Sequence, residues 1–334
     1  MKPVTNRILR SFFSLVAICS MAVLFSCNNN NKASEKKIPV IGFLDFIQDP
    51  TIELAKVGFF DALKENGFSE ADSTIEIVYA NAQGDIPTLN QSCDLILSKN
   101  PDLIGTNVTL STITTAKRTT EVPIFMMVAP RPDIAGLTGT SGKVPANLSG
   151  VYETLEYIDS AVVIIKELLP NAKRIGTVFN QSEPQSNDAY NKLYKKCTAL
   201  GLELVSLPVN NSSETQLVVQ ALLNKKIDAF FALPDNVIFA SFETVYKSCN
   251  EANVPIFTSE AGLVSRGALA SFGADFYYWG YQSGQLASKF LLSDKKVLPQ
   301  PEIVQLRKKI YNAEVATKFN IVPDSTYSSY NPGR

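Results

Sequence analysis

From residue 38 onward the chain alternates between two patterns. Short apolar runs, rich in β-branched and aromatic residues, are followed by longer segments whose apolar positions recur every three or four residues. The first pattern predicts buried strands and the second amphipathic helices. Strands are expected at 40–46, 74–79, 103–106 and 123–128, and again at 174–179, 203–208, 229–233, 255–258 and 269–273. Helices are expected at 52–66, 159–169, 189–200, 215–224, 237–252 and 277–292, with a last one around 312–319. Strand–helix alternation of this kind implies an α/β fold with parallel sheets covered by helices on both faces.

The pattern repeats. "VPIF" occurs at 122–125 and again at 254–257, "VIGFLDFIQDP" from Val40 resembles "RIGTVFNQSEP" from Arg174, and "NPDLIGTN" from Asn100 parallels "KIDAFFALPDN" from Lys226. The three landmarks keep their order, with offsets of 132, 134 (Gly42 to Gly176) and 126 (Asp102 to Asp228). Two similar lobes follow, each a parallel sheet flanked by helices.

Upstream of this body the pattern changes. Lys2, Arg7 and Arg10 precede a mostly apolar stretch at 12–25, which is short for a membrane span and matches a secretory leader. The leader ends in Leu24-Phe25-Ser26-Cys27, which resembles a bacterial lipobox. That resemblance implies removal of residues 1–26, lipidation of Cys27, and a cell-envelope location on a bacterial membrane, facing away from the cytoplasm. The polar run at 27–37 then serves as a tether.

Charge and composition narrow the chemistry. Three of the 31 basic residues lie in the leader, which has no acid, leaving 28 against 32 acids and a net charge near −4. That argues against nucleic acid as a partner. The chain has no histidine, which removes Ser-His-Asp, Cys-His and the common zinc-hydrolase motifs. Cys93, Cys197 and Cys249 fall in helical-looking segments with no paired spacing, so they read as buried small hydrophobes. No catalysis, metal or cofactor is expected, and the body is expected to be a monomer.

Open α/β sheets bind ligands beyond the carboxyl ends of their strands. Those loops are 45–50, 106–111 and 129–133 in the first lobe, with 180–187, 234–236 and 259–262 in the second and 273–278 at the return to the first. They supply the candidate ligand residues: Asp45, Asn107, Thr109 and Arg131, then Ser182, Glu183, Asp235, Asn236 and Glu260. Phe272 and Tyr277 are candidate aromatic walls. Asp235, ahead of Glu183, is the expected partner for a ligand ammonium, while Thr106, Asn107, Thr109 and Ser111 suit a carboxylate. Each polar residue taken singly is also a good helix cap.

Several segments together resemble the substrate-binding proteins of ABC-type importers: "SEPQSN" (182–187), "ALPDNVIFASFE" (232–243), "RGALASFGADFYYWGYQSGQLA" (266–287), "VPANLSGVY" (144–152) and "KIYNAEVATKFNIVP" (309–323). The nearest likeness is to the branch that binds tryptophan or tyrosine. It implies a type I periplasmic-binding fold with three crossovers, a small amphipathic ligand such as an amino acid between the lobes, and an ABC permease as membrane partner. The lobes would comprise 38–151 with 275–300, and 152–274 with 301–334. A ligand sensor signalling to a membrane receptor is the alternative role. The chain departs from the family pattern at Gln185, often Asn, at Ala146, often Gly, and at Arg131, where relatives carry an acid. An Arg131 in the cleft would favour a second anionic group on the ligand, whereas an Arg131 in solvent leaves the amino-acid reading unchanged.

Overall fold

The computed structural model describes residues 38–293 and 297–330. The leader, Cys27 and the tether lie outside the described residues. Five strands open the chain: β1 (Val40–Asp45), β2 (Glu76–Asn81), β3 (Leu103–Asn107), β4 (Ile124–Met127) and β5 (Leu148–Tyr152). They pair in the order β2-β1-β3-β4-β5, all parallel, and the short β11 (Glu302–Ile303) joins beside β5. A second set repeats the order as β7-β6-β8-β9-β10, with β6 (Arg174–Phe179), β7 (Glu203–Pro208), β8 (Ala229–Ala232), β9 (Ile256–Thr258) and β10 (Ala270–Ala274). Beyond β10 lie an antiparallel β12 (Arg307–Asn312) and then β13 (Ser328–Tyr330). The repeat legible in the sequence is thus a repeat of topology. In each sheet the strand order reverses between its first and third strands, which opens a crevice at that point.

Residue chemistry sets the helices. α1 (Pro50–Glu65) starts with proline, and Asp49 caps it by accepting from the amides of Thr51 (2.8 Å) and Ile52 (3.0 Å). α2 (Ile86–Ser98) is capped by Asp85 in the same way. α3 (Thr109–Arg118) has four threonines in ten residues, a composition that hides a helix from pattern reading, and it begins without a side-chain cap. The second lobe carries α4 (Ile158–Leu168), α5 (Pro184–Ala199) and α6 (Thr215–Leu223). The helix expected over 237–252 is two helices, α7 (Asn236–Ala240) and α8 (Phe242–Glu251). Ser241 breaks it: its hydroxyl donates to Val237 O at 2.5 Å and accepts from the Thr215 hydroxyl at 2.9 Å, competing with the backbone ladder. α9 (Ala261–Val264), α10 (Phe276–Leu292) and α11 (Ala313–Lys318) complete the chain. No described helix is long and apolar enough to cross a membrane.

The chain passes between the sheets three times: after β5, between β10 and α10, and between Ile303 and Arg307. Cys93, Cys197 and Cys249 are buried and unpaired, packed as small apolar groups. α10 returns to the first sheet and lies against α1. Their backbones touch because Gly58 faces Tyr277 O, Gly280 faces Ala55 O and Gly284 faces Phe59 O, leaving no room for a Cβ. Overpacking such a backbone contact forces the helices apart. Gly280→Val should therefore lower stability by at least about 2 kcal/mol in urea denaturation. A variant as stable as the parent would show that the crossing tolerates a side chain.

Candidate functional site

The carboxyl ends of the two sheets face each other and enclose two cavities. The inner one is small and lined mostly by apolar groups. Its aromatic wall comes from Phe239, Phe276, Trp279 and Tyr157. Phe276 stands edge-on to both Phe239 (centroids 5.8 Å) and Trp279 (5.7 Å), and the Trp279 indole donates to Val151 O at 2.8 Å. The indole is thereby fixed, with its polar group turned away from the space it lines.

Backbone conformation marks the same cavity. Val108 (φ 67°), Val128 (φ 50°) and Leu155 (φ 58°) adopt the left-handed region that side chains avoid, and all three line it. Such strain persists only where surrounding structure holds it, and it gathers at ligand sites. Unpartnered polar atoms gather there too: Thr109 Oγ1, Gln185 Oε1 and Glu260 Oε2 are buried without a hydrogen-bond partner. Buried polar atoms are normally paired. Three around one cavity, from both lobes, mark it as the candidate ligand site.

Glu260 is the charged group among them. It follows β9, is fully buried, and its Oε1 accepts from the hydroxyls of Tyr157 (3.0 Å) and Ser259 (3.0 Å). Burial without a cation pushes its carboxyl up to about 8, and the nearby Glu153 adds to that.

The outer cavity opens at the cleft mouth between Phe46, Ile86 and Leu110 on one side and Asn180, Ser182 and Asn211 on the other. Between the two cavities lies a polar cluster. Glu183 Oε2 accepts from the Asn236 amide (3.2 Å), Asn236 Nδ2 (3.0 Å) and the Gln185 side chain. Burial, then the neighbouring Asp235, raises the Glu183 carboxyl, and burial raises that of Asp235.

The sequence expectations sort accordingly. Thr109, Asn236 and Glu260 line the inner cavity, and Ser182, Glu183 and Asn236 the outer. Asp235 does not offer a carboxylate to a ligand. It caps α7 through Val237 N (2.9 Å) and Ile238 N (3.1 Å), and accepts from Asn180 N and Ser186 Oγ, each at 2.6 Å. Four donors saturate it. Arg131 is not in the cleft either: its side chain is half exposed and forks onto Asp133 at 2.6 and 2.8 Å. Tyr277 turns outward, its hydroxyl donating to Asp61 at 3.0 Å, and Phe272 packs into the second lobe's core. Asp45 and Asn107 pair in register at the ends of β1 and β3 but line neither cavity. Asp45 is buried 4.0 Å from Lys56, with its carboxyl raised to about 6, chiefly by burial.

Tyr157, Phe239, Phe276, Trp279 and Gln185 were not among the candidates. One signal was available: Trp279 is the only tryptophan, three residues from Phe276 at the start of a helix that follows a strand end.

A clasp joins the lobes across the cleft. Arg266, beyond α9, donates to Asp49 Oδ2 at 2.6 Å and to Thr51 Oγ1 at 3.3 Å, while its other nitrogens hold Glu243 and Phe239 O. Gly262 meets the Thr51 side chain so closely that a Cβ would overlap it.

Residues 40–328 match the family model for the ABC transporter substrate binding protein. The chain belongs to that family. Its members are solute-binding proteins, not enzymes. The chain is 35% identical over 264 residues to a tyrosine-binding protein of Clostridioides difficile, covering 79% of this chain and 76% of that one. Among solved structures it is similar to an ABC domain in complex with L-Trp from Streptococcus pneumonia (26% identity, TM-score 0.79, covering 86% of this chain and 97% of that one). It is also similar to a ligand-free, open substrate-binding protein with adhesive properties from Clostridium difficile (27% identity, TM-score 0.65, covering 88% and 99%). Identities and coverage are alike, yet the L-Trp complex superposes better, in keeping with lobes that touch through Arg266.

The buried acids give a pH dependence. Folded Glu260 keeps its proton to about pH 8 and Asp45 to about pH 6, whereas the unfolded chain loses both near their ordinary values of 4.5 and 3.8. Over that window the native state binds more protons, so stability falls as pH rises. Acids lowered by partners, such as Asp133 and Glu167, titrate below it. Ligand-free protein should melt at a lower temperature at pH 8 than at pH 5. The reverse order would mean that these carboxyls ionise at ordinary pH in the folded state.

Proposed function

We propose that the chain is the solute-capturing component of an ABC importer and that its ligand is an aromatic amino acid held in the inner cavity. The observation that carries this reading is Glu260, a buried carboxylate with one free oxygen in a cavity that also presents Tyr157, Phe239, Phe276 and Trp279. A ligand ammonium supplies the counter-charge it lacks. The ligand carboxylate meets the uncapped start of α3, where backbone amides and the Thr109 hydroxyl are donors. Its ring rests among Phe239, Phe276 and Trp279. Relatives named for tyrosine or bound to L-Trp support the same class. Since Glu260 and α3 belong to different lobes, one ligand bridges both and favours closure.

Calorimetry with tyrosine and tryptophan tests this directly. Glu260→Gln should weaken binding at least about tenfold. Below about pH 8 an arriving ammonium must displace the Glu260 proton, so wild-type affinity rises with pH toward that value, and this dependence disappears in Glu260→Gln. Equal affinity in the two proteins would sink the reading.

On the same reading the protein works outside the cytoplasm, acylated at Cys27 and tethered by residues 28–37. The apolar stretch at 12–25 and the Leu-Phe-Ser-Cys junction support this. Cys27→Ala should move the protein from the membrane to the soluble fraction or leave it unprocessed. Normal processing with full membrane retention would rule the anchor out.

A further inference from the structure

The inner cavity has a second unpartnered acceptor besides Glu260, and its orientation is not free. Gln185 lies in the first turn of α5, is 7% exposed, and lines the cavity. Its amide nitrogen donates to Glu183 Oε2, the oxygen that also receives the Asn236 backbone N–H. A backbone N–H can only donate, so Oε2 is held as an acceptor. Turning the Gln185 amide over would set its carbonyl oxygen against Oε2. A proton on Glu183 does not change this, because three N–H groups already occupy Oε2 and the proton goes to Oε1, where Asn180 Nδ2 lies at 3.5 Å. With Nε2 held on Glu183, the Gln185 amide keeps this orientation, and its Oε1 is buried and unpaired.

The two free acceptors stand apart. Gln185 follows β6 and Glu260 follows β9, with β8 between those strands in the sheet. Two strand spacings amount to about 10 Å. Acceptors carried on strands so spaced suit the two ends of an amino acid with its ring extended better than a single ammonium. Glu260, being the charged one, takes the ammonium, which leaves Gln185 at the far end of the side chain.

We propose that Gln185, held by Glu183 with its Oε1 left free, is a specificity-determining residue that selects aromatic amino acids whose ring bears a hydrogen-bond donor, a phenol O–H or an indole N–H. The proposal rests on the amino-acid reading above. A bare hydrocarbon ring leaves Gln185 Oε1 buried and unsatisfied, and sites built around a ligand donor reject analogues that lack it.

The test measures affinities for tyrosine, phenylalanine, tryptophan and 1-methyl-tryptophan by calorimetry on the wild-type protein and on Gln185→Leu, with a thermal melt to establish folding. The wild type should prefer tyrosine over phenylalanine, or tryptophan over its N-methyl analogue, at least about tenfold. Gln185→Leu should bring the preferred pair within about twofold. Glu183→Gln, which frees the amide to turn, should also shrink the preference, and it serves if Gln185→Leu does not fold. Phenylalanine bound as tightly as tyrosine together with equal affinity for tryptophan and its N-methyl analogue, or a preference that survives both substitutions, would overturn the proposal while leaving the amino-acid reading intact. If the wild type binds none of the four, the underlying reading fails and this one falls with it.

Discussion

Everything about the cleft depends on one ion pair at the crossovers, between a buried carboxylate and a partly exposed guanidinium. Glu153 is fully buried immediately after β5, and Arg307 opens β12; the guanidinium reaches the carboxylate at 2.9 and 3.1 Å. Glu153 also exchanges backbone bonds with Ala129 and Arg131, and Val304 N donates to Tyr152 O beside it. Two of the three passages between sheets are thereby stapled side by side. Removing one partner of such a pair leaves a buried charge and typically costs about 3–5 kcal/mol. The pair also reaches the site: Arg307 lies 5.8 Å from the centre of the Tyr157 ring, and the Tyr157 hydroxyl orients Glu260. Hinge and binding carboxylate are successive links of one chain of contacts.

Given that hinge, the doubled topology does the rest. Both sheets reverse their strand order at the same place, so both crevices open toward one space. The second lobe contributes the carboxylate and the amides, and the first contributes an uncapped helix start and the aromatic face of α10. Strained Val108, Val128 and Leu155 surround the same volume as the free oxygens of Thr109, Gln185 and Glu260, so backbone cost and unsatisfied polar groups coincide there.

Much of this was legible in the sequence because parallel strands are apolar on both faces. Runs such as 229–233 and 174–179 announce themselves, and the repeat discloses two lobes. Three kinds of information were hidden. Threonine-rich α3 and the break at Ser241 depend on hydroxyl bonding that periodicity does not register. Asp235 and Glu260 have the same place in their loops, and only the count of donors around each separates a saturated cap from a carboxylate with a free oxygen. Arg131 fitted either a change of ligand chemistry or a place in solvent, and its pairing with Asp133, two residues away, puts it in solvent.

The Asp49–Arg266 clasp has a consequence for timing. Arg266 keeps Glu243 on its own lobe when the cleft opens, and Asp49 keeps the two amides of the helix it caps. Neither charge is stranded by separation, so the clasp adds little to the barrier against opening. Residence time is then set by the solute's own contacts, and a poorly matched solute is released quickly.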